Sequence, residues 1–168
     1  MQLWDDVLYT PFRATIRGSY YGVITEDFID EECYHLALRA ISAFKFPKIS
    51  TEYNTFYAIR LEDGSLSRVD PTTEGAVPHG EFVQDLTYAE IEVLIAWMKV
   101  YWCENQISNA DNFDDMYTDA NIKTFSRANA VDKNMKLMAE YRSYARDLEN
   151  RYSRINNNRK PSLGDINE

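Results

Sequence analysis

Apolar residues between positions 28 and 44 recur at helical spacing: Phe28, Ile29, Cys33, Leu36, Ala37, Ala40, Ile41 and Phe44. This predicts an amphipathic helix of about five turns with one apolar stripe. Thr25 supplies an N-cap, and Glu26 and Asp27 sit at the positive end of the helix dipole. Pro47 ends the run, because the residue before a proline avoids helical geometry. Upstream, Leu3 to Tyr9 reads as a short helix ending before Pro11, and residues 12–24 as irregular or extended chain.

A second long helix starts at Thr87-Tyr-Ala-Glu90, a capping box in which hydroxyl and carboxylate satisfy reciprocal backbone donors. Ile91, Leu94, Ile95, Met98 and Trp102 form one face, and Val93, Ala96, Trp97, Val100 and Tyr101 cover much of the rest. A helix apolar nearly all round is central, covered by its own domain or by other subunits. Residues 108–120 read as an acidic, turn-rich connection. A last helix follows from about Ser126 to Ile155. Val131, Met138, Ala145 and Tyr152 lie seven apart, and Asn134, Tyr141, Leu148 and Ile155 repeat three residues later, giving an a/d seam. Residues 156–168 are polar and read as a tail that orders on a partner.

Between the first two long helices the period changes. Phe56-Tyr-Ala-Ile-Arg-Leu and Leu66-Ser-Arg-Val flank Asp63-Gly64, a β-hairpin signature. Pro71, Gly75, Pro78 and Gly80 then predict a loop running to about Asp85. The expected fold is mainly α: a small helical bundle of three long or medium helices plus a short N-terminal one. Residues 50–86 are a hairpin and loop insertion, and residues 1–168 form one domain.

Composition narrows the function classes. Of 168 residues, 45% are hydrophobic, too many for intrinsic disorder even at a net charge of −9. The longest apolar stretch, Val93 to Cys103, is interrupted by Lys99 and is shorter than a bilayer span. The opening Met-Gln-Leu-Trp-Asp-Asp lacks the basic and apolar regions of a signal peptide, so neither secretion nor membrane insertion is expected. Cys33 and Cys103 lie within apolar helical patterns and read as buried, reduced thiols suited to a cytoplasm. The charge is unevenly distributed. Residues 1–120 carry 21 acidic and 8 basic side chains, whereas residues 121–168 carry 6 and 10. An acidic body with a basic arm suits head-to-tail stacking or two different partners.

Catalytic constellations are sparse. His35 follows Cys33 by two residues and cannot share its helix face, and His79 lies in the Pro/Gly segment. No metal-ligand spacing, phosphate-binding loop or nucleophile elbow is present, so no cofactor, metal or catalytic residue is expected. Asp111, Asp114, Asp115 and Asp119 lack the ladder and terminal Glu of an EF-hand and read as a solvated loop, with Phe113 and Tyr117 pinning it. A hydrolase using those carboxylates is a third reading. The basic arm carries Lys133, Lys136, Arg142, Arg146, Arg151 and Arg154 around the helix, with only Arg151 to Lys160 locally dense. Docking on an acidic protein surface therefore fits better than tight duplex binding. A DNA-binding or packaging accessory role through this arm is the alternative.

One pattern is more specific. Leu86-Thr87, Glu90, Leu94, Met98, Trp102, Gln106-Ile107, Tyr117, Asn121-Ile122-Lys123 and Ser126-Arg127-Ala128-Asn129-Ala130 resemble a run found in head-to-tail adaptor proteins of tailed bacteriophages. These include the first ring protein of crAss-like phages. Leu38-Arg-Ala-Ile-Ser-Ala-Phe-Lys-Phe-Pro47 is similar to a segment preceding it there. The resemblance continues into the helix beyond Ala130 and leaves out the hairpin and N-terminus. Arg127, Ala130 and Asn121-Ile122 depart from the family's Gln, His and Asp-Phe.

The resemblance implies a non-enzymatic virion protein at the neck, under the portal vertex, assembled in the host cytoplasm. Such adaptors form a ring, usually of about twelve copies, between the portal protein and the next neck or tail component. Genomic DNA passes through the channel without specific binding, and no membrane is involved. Phe46, Pro47, Thr87, Glu90, Met98, Trp102, Ser126 and Asn129 are the structural motif positions, with Ser126 and Asn129 read as turn and cap. Candidate partner contacts are Phe56 and Tyr57 of the hairpin, and Arg151, Arg154, Arg159, Lys160, Leu163 and Ile166 of the arm and tail.

Overall fold

The computed structural model describes residues 2–16, 25–45, 47, 49–112 and 123–157. Strand β1 (Gln2–Leu3) leads into a π-helical turn (Asp5–Tyr9) and helix α1 (Thr10–Thr15). Helix α2 (Glu26–Ala43), strands β2 (Tyr53–Arg60), β3 (Leu66–Val69) and β4 (Val77–Phe82), and helices α3 (Tyr88–Asn112) and α4 (Lys123–Asn157) follow.

The architecture corrects the expected one. The chain is a mixed α/β fold, with four α-helices and a four-stranded antiparallel sheet ordered β1-β4-β2-β3 among the described residues, rather than a mainly α bundle with an appended hairpin. The hairpin of β2 and β3 forms as the Asp63-Gly64 turn predicts, with Tyr57 paired to Val69 and Arg60 to Leu66, and Gly64 at φ +82°. The supposed loop after it returns as β4, paired to β2 from Tyr53↔Phe82 to Ala58↔Val77.

Pro78 and Gly80 obscure that strand in the sequence, and each has a local reason. Among the described residues β1 covers β4 only at Glu81 and Phe82, and no described strand pairs with that side of the strand at Pro78. Gly80 lies under the Trp4 indole, where any Cβ would overlap the ring. Residues 50–86 are therefore integral to the fold, because β4 also packs against α2.

The N-terminal segment differs too. A short helix ending before Pro11 is replaced by β1, the π turn and α1, with Pro11 inside the first turn of α1. That position tolerates proline, whose missing N–H would have no partner there in any case. Trp4, Leu8, Tyr9 and Phe12 are buried, so this segment is core rather than an appendage.

Helix α2 forms from Thr25 as expected, although Thr25 makes no side-chain cap bond, and it ends at Phe44. Ile29, Cys33, Leu36, Ala37 and Ala40 are buried, whereas Phe28 turns out to solvent, 52% exposed. Helix α3 is the central element. Val93, Leu94, Ala96, Met98, Val100 and Cys103 are all buried by neighbours within the domain. It continues helically to Asn112, past the expected connection at 108.

Helix α4 lies along α3 with the predicted seam inward. Ala145 and Tyr152 are buried, and Met138, Tyr141 and Leu148 are packed against the core. It begins at Lys123, so Ser126 and Asn129 lie on helical backbone instead of forming a turn and cap. The sequence spacing located the heptads correctly, but not the first turn of the helix.

Candidate functional site

The sheet alternates cleanly. Phe56, Ala58 and Arg60 share a face with their β4 neighbours Val77, His79 and Glu81, while Gly80 and Phe82 face the Trp4 indole on the other side. His79 and Phe56 are register partners whose rings stack with centroids 5.8 Å apart. The Arg68 guanidinium covers Phe56 at 4.0 Å and reaches Glu81 at 2.6 Å.

Beneath this face lies a charged cluster built from four elements. The π turn contributes Asp5, α2 contributes Asp30, β2 contributes Arg60 and β4 contributes His79. The His79 Nδ1–H donates to Asp5 Oδ2 at 3.0 Å, since an ionised carboxylate can only accept. Arg60 Nη2 donates to Asp5 Oδ1 and to Asp30 Oδ2, each at 2.7 Å, and Arg60 Nε donates to Asp30 Oδ2 at 2.9 Å. Arg60 Nη1 reaches outward to the Gly64 carbonyl at 3.0 Å. The Asp30 side chain is 1% exposed and that of Arg60 is 22% exposed, so one guanidinium holds two largely desolvated carboxylates together.

The two carboxylates are tuned in opposite directions. Burial would raise Asp5, but hydrogen bonds and charge from His79 and then Arg60 outweigh it and hold the group below the usual carboxylate range. Burial dominates at Asp30 and raises it, despite the pull of Arg60. Three buried polar atoms among the described residues have no hydrogen-bond partner near this cluster: Asp30 Oδ1, His79 Nε2 and the Tyr9 hydroxyl. Tyr9 sits one π turn after Asp5, its ring 6.4 Å from that of His79. Burial, then the charge of Asp5, pushes its ionisation well above the ordinary tyrosine range. Two carboxylates and an imidazole at this separation can hold a proton, a guanidinium or a metal cation.

A second polar hub closes the helical layer. Glu90 Oε2 accepts from the Thr87 backbone N–H at 2.8 Å while the Thr87 hydroxyl accepts from the Glu90 N–H at 3.4 Å, which is the predicted capping box, and the hydroxyl also donates to Oε2 at 2.7 Å. Glu90 Oε1 accepts from the Tyr152 hydroxyl at 2.6 Å and the Ile49 N–H at 3.1 Å. Burial would raise this carboxyl, and the hydrogen bonds from Tyr152, Thr87 and Ile49 lower it below its usual range. Glu149, one helical turn before Tyr152 on α4, accepts from the Lys45 N–H at 2.7 Å.

Among the described residues, those picked out in the sequence are not gathered into one site. Met98 is fully buried and Trp102 partly so, both on α3, with Thr87 and Glu90 at its start and Pro47 half-buried before β2. Phe56 joins the His79 stack, whereas Tyr57 is 38% exposed. Arg151 and Arg154 are exposed on α4. Phe46, Arg159, Lys160, Leu163 and Ile166 lie outside the described residues, as do Phe113, Asp114, Asp115, Tyr117 and Asp119.

The sequence reading missed the charged cluster, and it placed His79 in a loop, where the structure buries it on β4. One signal was available. Asp30 precedes Cys33 by three and Ala37 by seven residues, which sets a carboxylate on the buried stripe of α2. No protein-family model, curated protein or solved structure matches the chain.

Proposed function

We propose that this chain is a structural subunit of a phage neck, an adaptor that docks as a ring on the portal protein and links it to the next neck or tail component. The observation that carries the reading is the run from Leu38 to Pro47 and from Leu86 to Ala130, which resembles head-to-tail adaptors. Its motif positions Thr87, Glu90, Met98 and Trp102 serve packing and capping at the helical hub, the role expected of a structural signature.

The charge distribution supports the same reading. An acidic body lets DNA slide through a channel, because a strongly acidic wall repels phosphates instead of holding them. The exposed Arg151 and Arg154, continuing to Arg159, Lys160, Leu163 and Ile166, supply a basic and apolar segment for the neighbouring component, and Phe56 and Tyr57 mark the hairpin contact. In this role the chain acts without catalysis or a cofactor, at the portal vertex of the virion.

Capture on immobilised portal protein from the same genome tests the proposal. The full chain should be retained, and a variant ending at Asn157 should bind the portal yet fail to recruit the next neck component. If the portal fails to retain the chain while duplex DNA binds it with a steep dependence on salt, the DNA-binding reading replaces the adaptor.

A further inference from the structure

We propose that Asp5, Asp30 and His79 form a binding site for a divalent metal ion of the zinc type, with the Arg60 guanidinium as its built-in competitor. One oxygen from each carboxylate and one ring nitrogen of His79 lie within 4.8 Å of one another. Zinc bonded to N and O donors at about 2.0–2.2 Å sets neighbouring ligand atoms about 3.0–3.6 Å apart. An inward movement of about an ångström, small for side chains, therefore completes three ligands. Two carboxylates with an imidazole are a borderline donor set, suited to zinc, manganese or iron(II) and unsuited to soft thiolate-seeking ions.

The acidic pair alone would not identify a ligand site. Three further atoms do. Asp30 Oδ1, His79 Nε2 and the Tyr9 hydroxyl are buried and unpartnered, on side chains no more than 2% exposed. Each has given up water without gaining a hydrogen bond in return, which destabilises the fold unless a ligand supplies the partner. Asp30 and His79 are two of the three ligand residues and the Tyr9 ring lies 6.4 Å from that of His79, so a cation with its own coordinated water offers these atoms partners. His79 Nδ1 and Asp5 Oδ2 already lie 3.0 Å apart, close to the spacing of two ligand atoms on one zinc ion.

Arg60 occupies the cationic role in this structure and has somewhere else to go. Its Nη1 already binds the Gly64 carbonyl at the hairpin turn, and its side chain is partly exposed, so it can withdraw along the surface without crossing the core. Metal entry and Arg60 withdrawal are therefore coupled, and the exchange would tie the N-terminal segment, α2 and β4 to a single ion. The site is independent of the adaptor reading.

The test uses the full chain, first stripped with chelator and then titrated with Zn²⁺. Wild type should bind one equivalent saturably, shift the His79 ring nitrogens in its ¹⁵N spectrum, and melt at higher temperature. Arg60→Met should be destabilised without metal, regain stability with Zn²⁺, and bind at least about tenfold more tightly than wild type. Asp30→Asn should weaken binding by at least about tenfold. Unchanged His79 ring signals at saturating Zn²⁺, or binding that a folded Asp30→Asn variant retains in full, would overturn the site. So would an Arg60→Met variant that Zn²⁺ does not stabilise. The ring signals need no substitution, so a variant that fails to fold does not remove the test.

Discussion

Tyr152, near the end of α4, donates its hydroxyl to Glu90 at the start of α3, 2.6 Å away and 62 residues distant in sequence. This bond joins the ends of the antiparallel pair formed by the two longest helices. The same carboxylate also caps α3 through Thr87 and holds the chain entering β2 through Ile49. Phe44 packs edge-on against the Tyr152 ring at 5.6 Å, so the end of α2 meets the same point.

Removing that hydroxyl leaves the ring in place and takes one donor from a buried carboxylate. Tyr152→Phe should lower stability by about 1.5–3 kcal/mol, the range for a hydrogen bond to a charged group. Urea denaturation should register it as a lower midpoint at unchanged slope.

Glu90 also sets an acid limb. Its folded pKa is depressed, so its contribution is complete above the unfolded value of about 4.3 and is lost as pH falls through the folded one. Asp5, likewise depressed, acts in the same direction. Asp30 is raised, so its ionisation removes stability as pH climbs through its folded value, partly opposing the other two. Wild-type stability should decline below about pH 4.5, and Glu90→Gln should be less stable at pH 7 and flatter between about pH 5 and 3. Melting temperature measured across pH reads both effects.

Gly80 is required by packing, not by turn geometry. Its Cβ position is filled by the Trp4 indole, itself wedged against Phe82, Tyr34 and Tyr53 with ring centroids 5.1–5.8 Å away. Gly80→Ala should cost about 1–3 kcal/mol as an overpacking change, since neither ring nor strand has room to move. Tryptophan fluorescence should show the displacement of Trp4.

Arg60 is the only basic side chain bonded to Asp5 and Asp30 among the described residues, apart from His79. In chelator, Arg60→Met should cost about 2–4 kcal/mol, somewhat discounted because the guanidinium is partly exposed. Adding Asp30→Asn should recover part of that loss, because it removes the more deeply buried of the two stranded carboxylates. A double-mutant cycle by denaturation measures the recovery.

The helical half of this fold was legible from spacing alone. The stripe of α2, the capping box of α3 and the seam of α4 repeat over several turns, and repetition makes a pattern resistant to single exceptions such as Phe28. The sheet was not, because β4 is a buried strand written with Pro78 and Gly80, two residues that locally argue for a loop. Their meaning depends on Trp4 and on the short reach of β1, both more than 70 residues away. The charged cluster was hidden for the same reason. Asp5, Asp30, Arg60 and His79 are each unremarkable locally, and only the sheet brings them together.

Assembly on the portal is the central claim, and mass is its most direct measure. Light scattering should be run on the purified chain alone and after mixing with the portal protein of the same genome. The account predicts a ring-sized complex with about one copy of this chain per portal subunit. A mixture in which portal and chain keep their separate masses would contradict it.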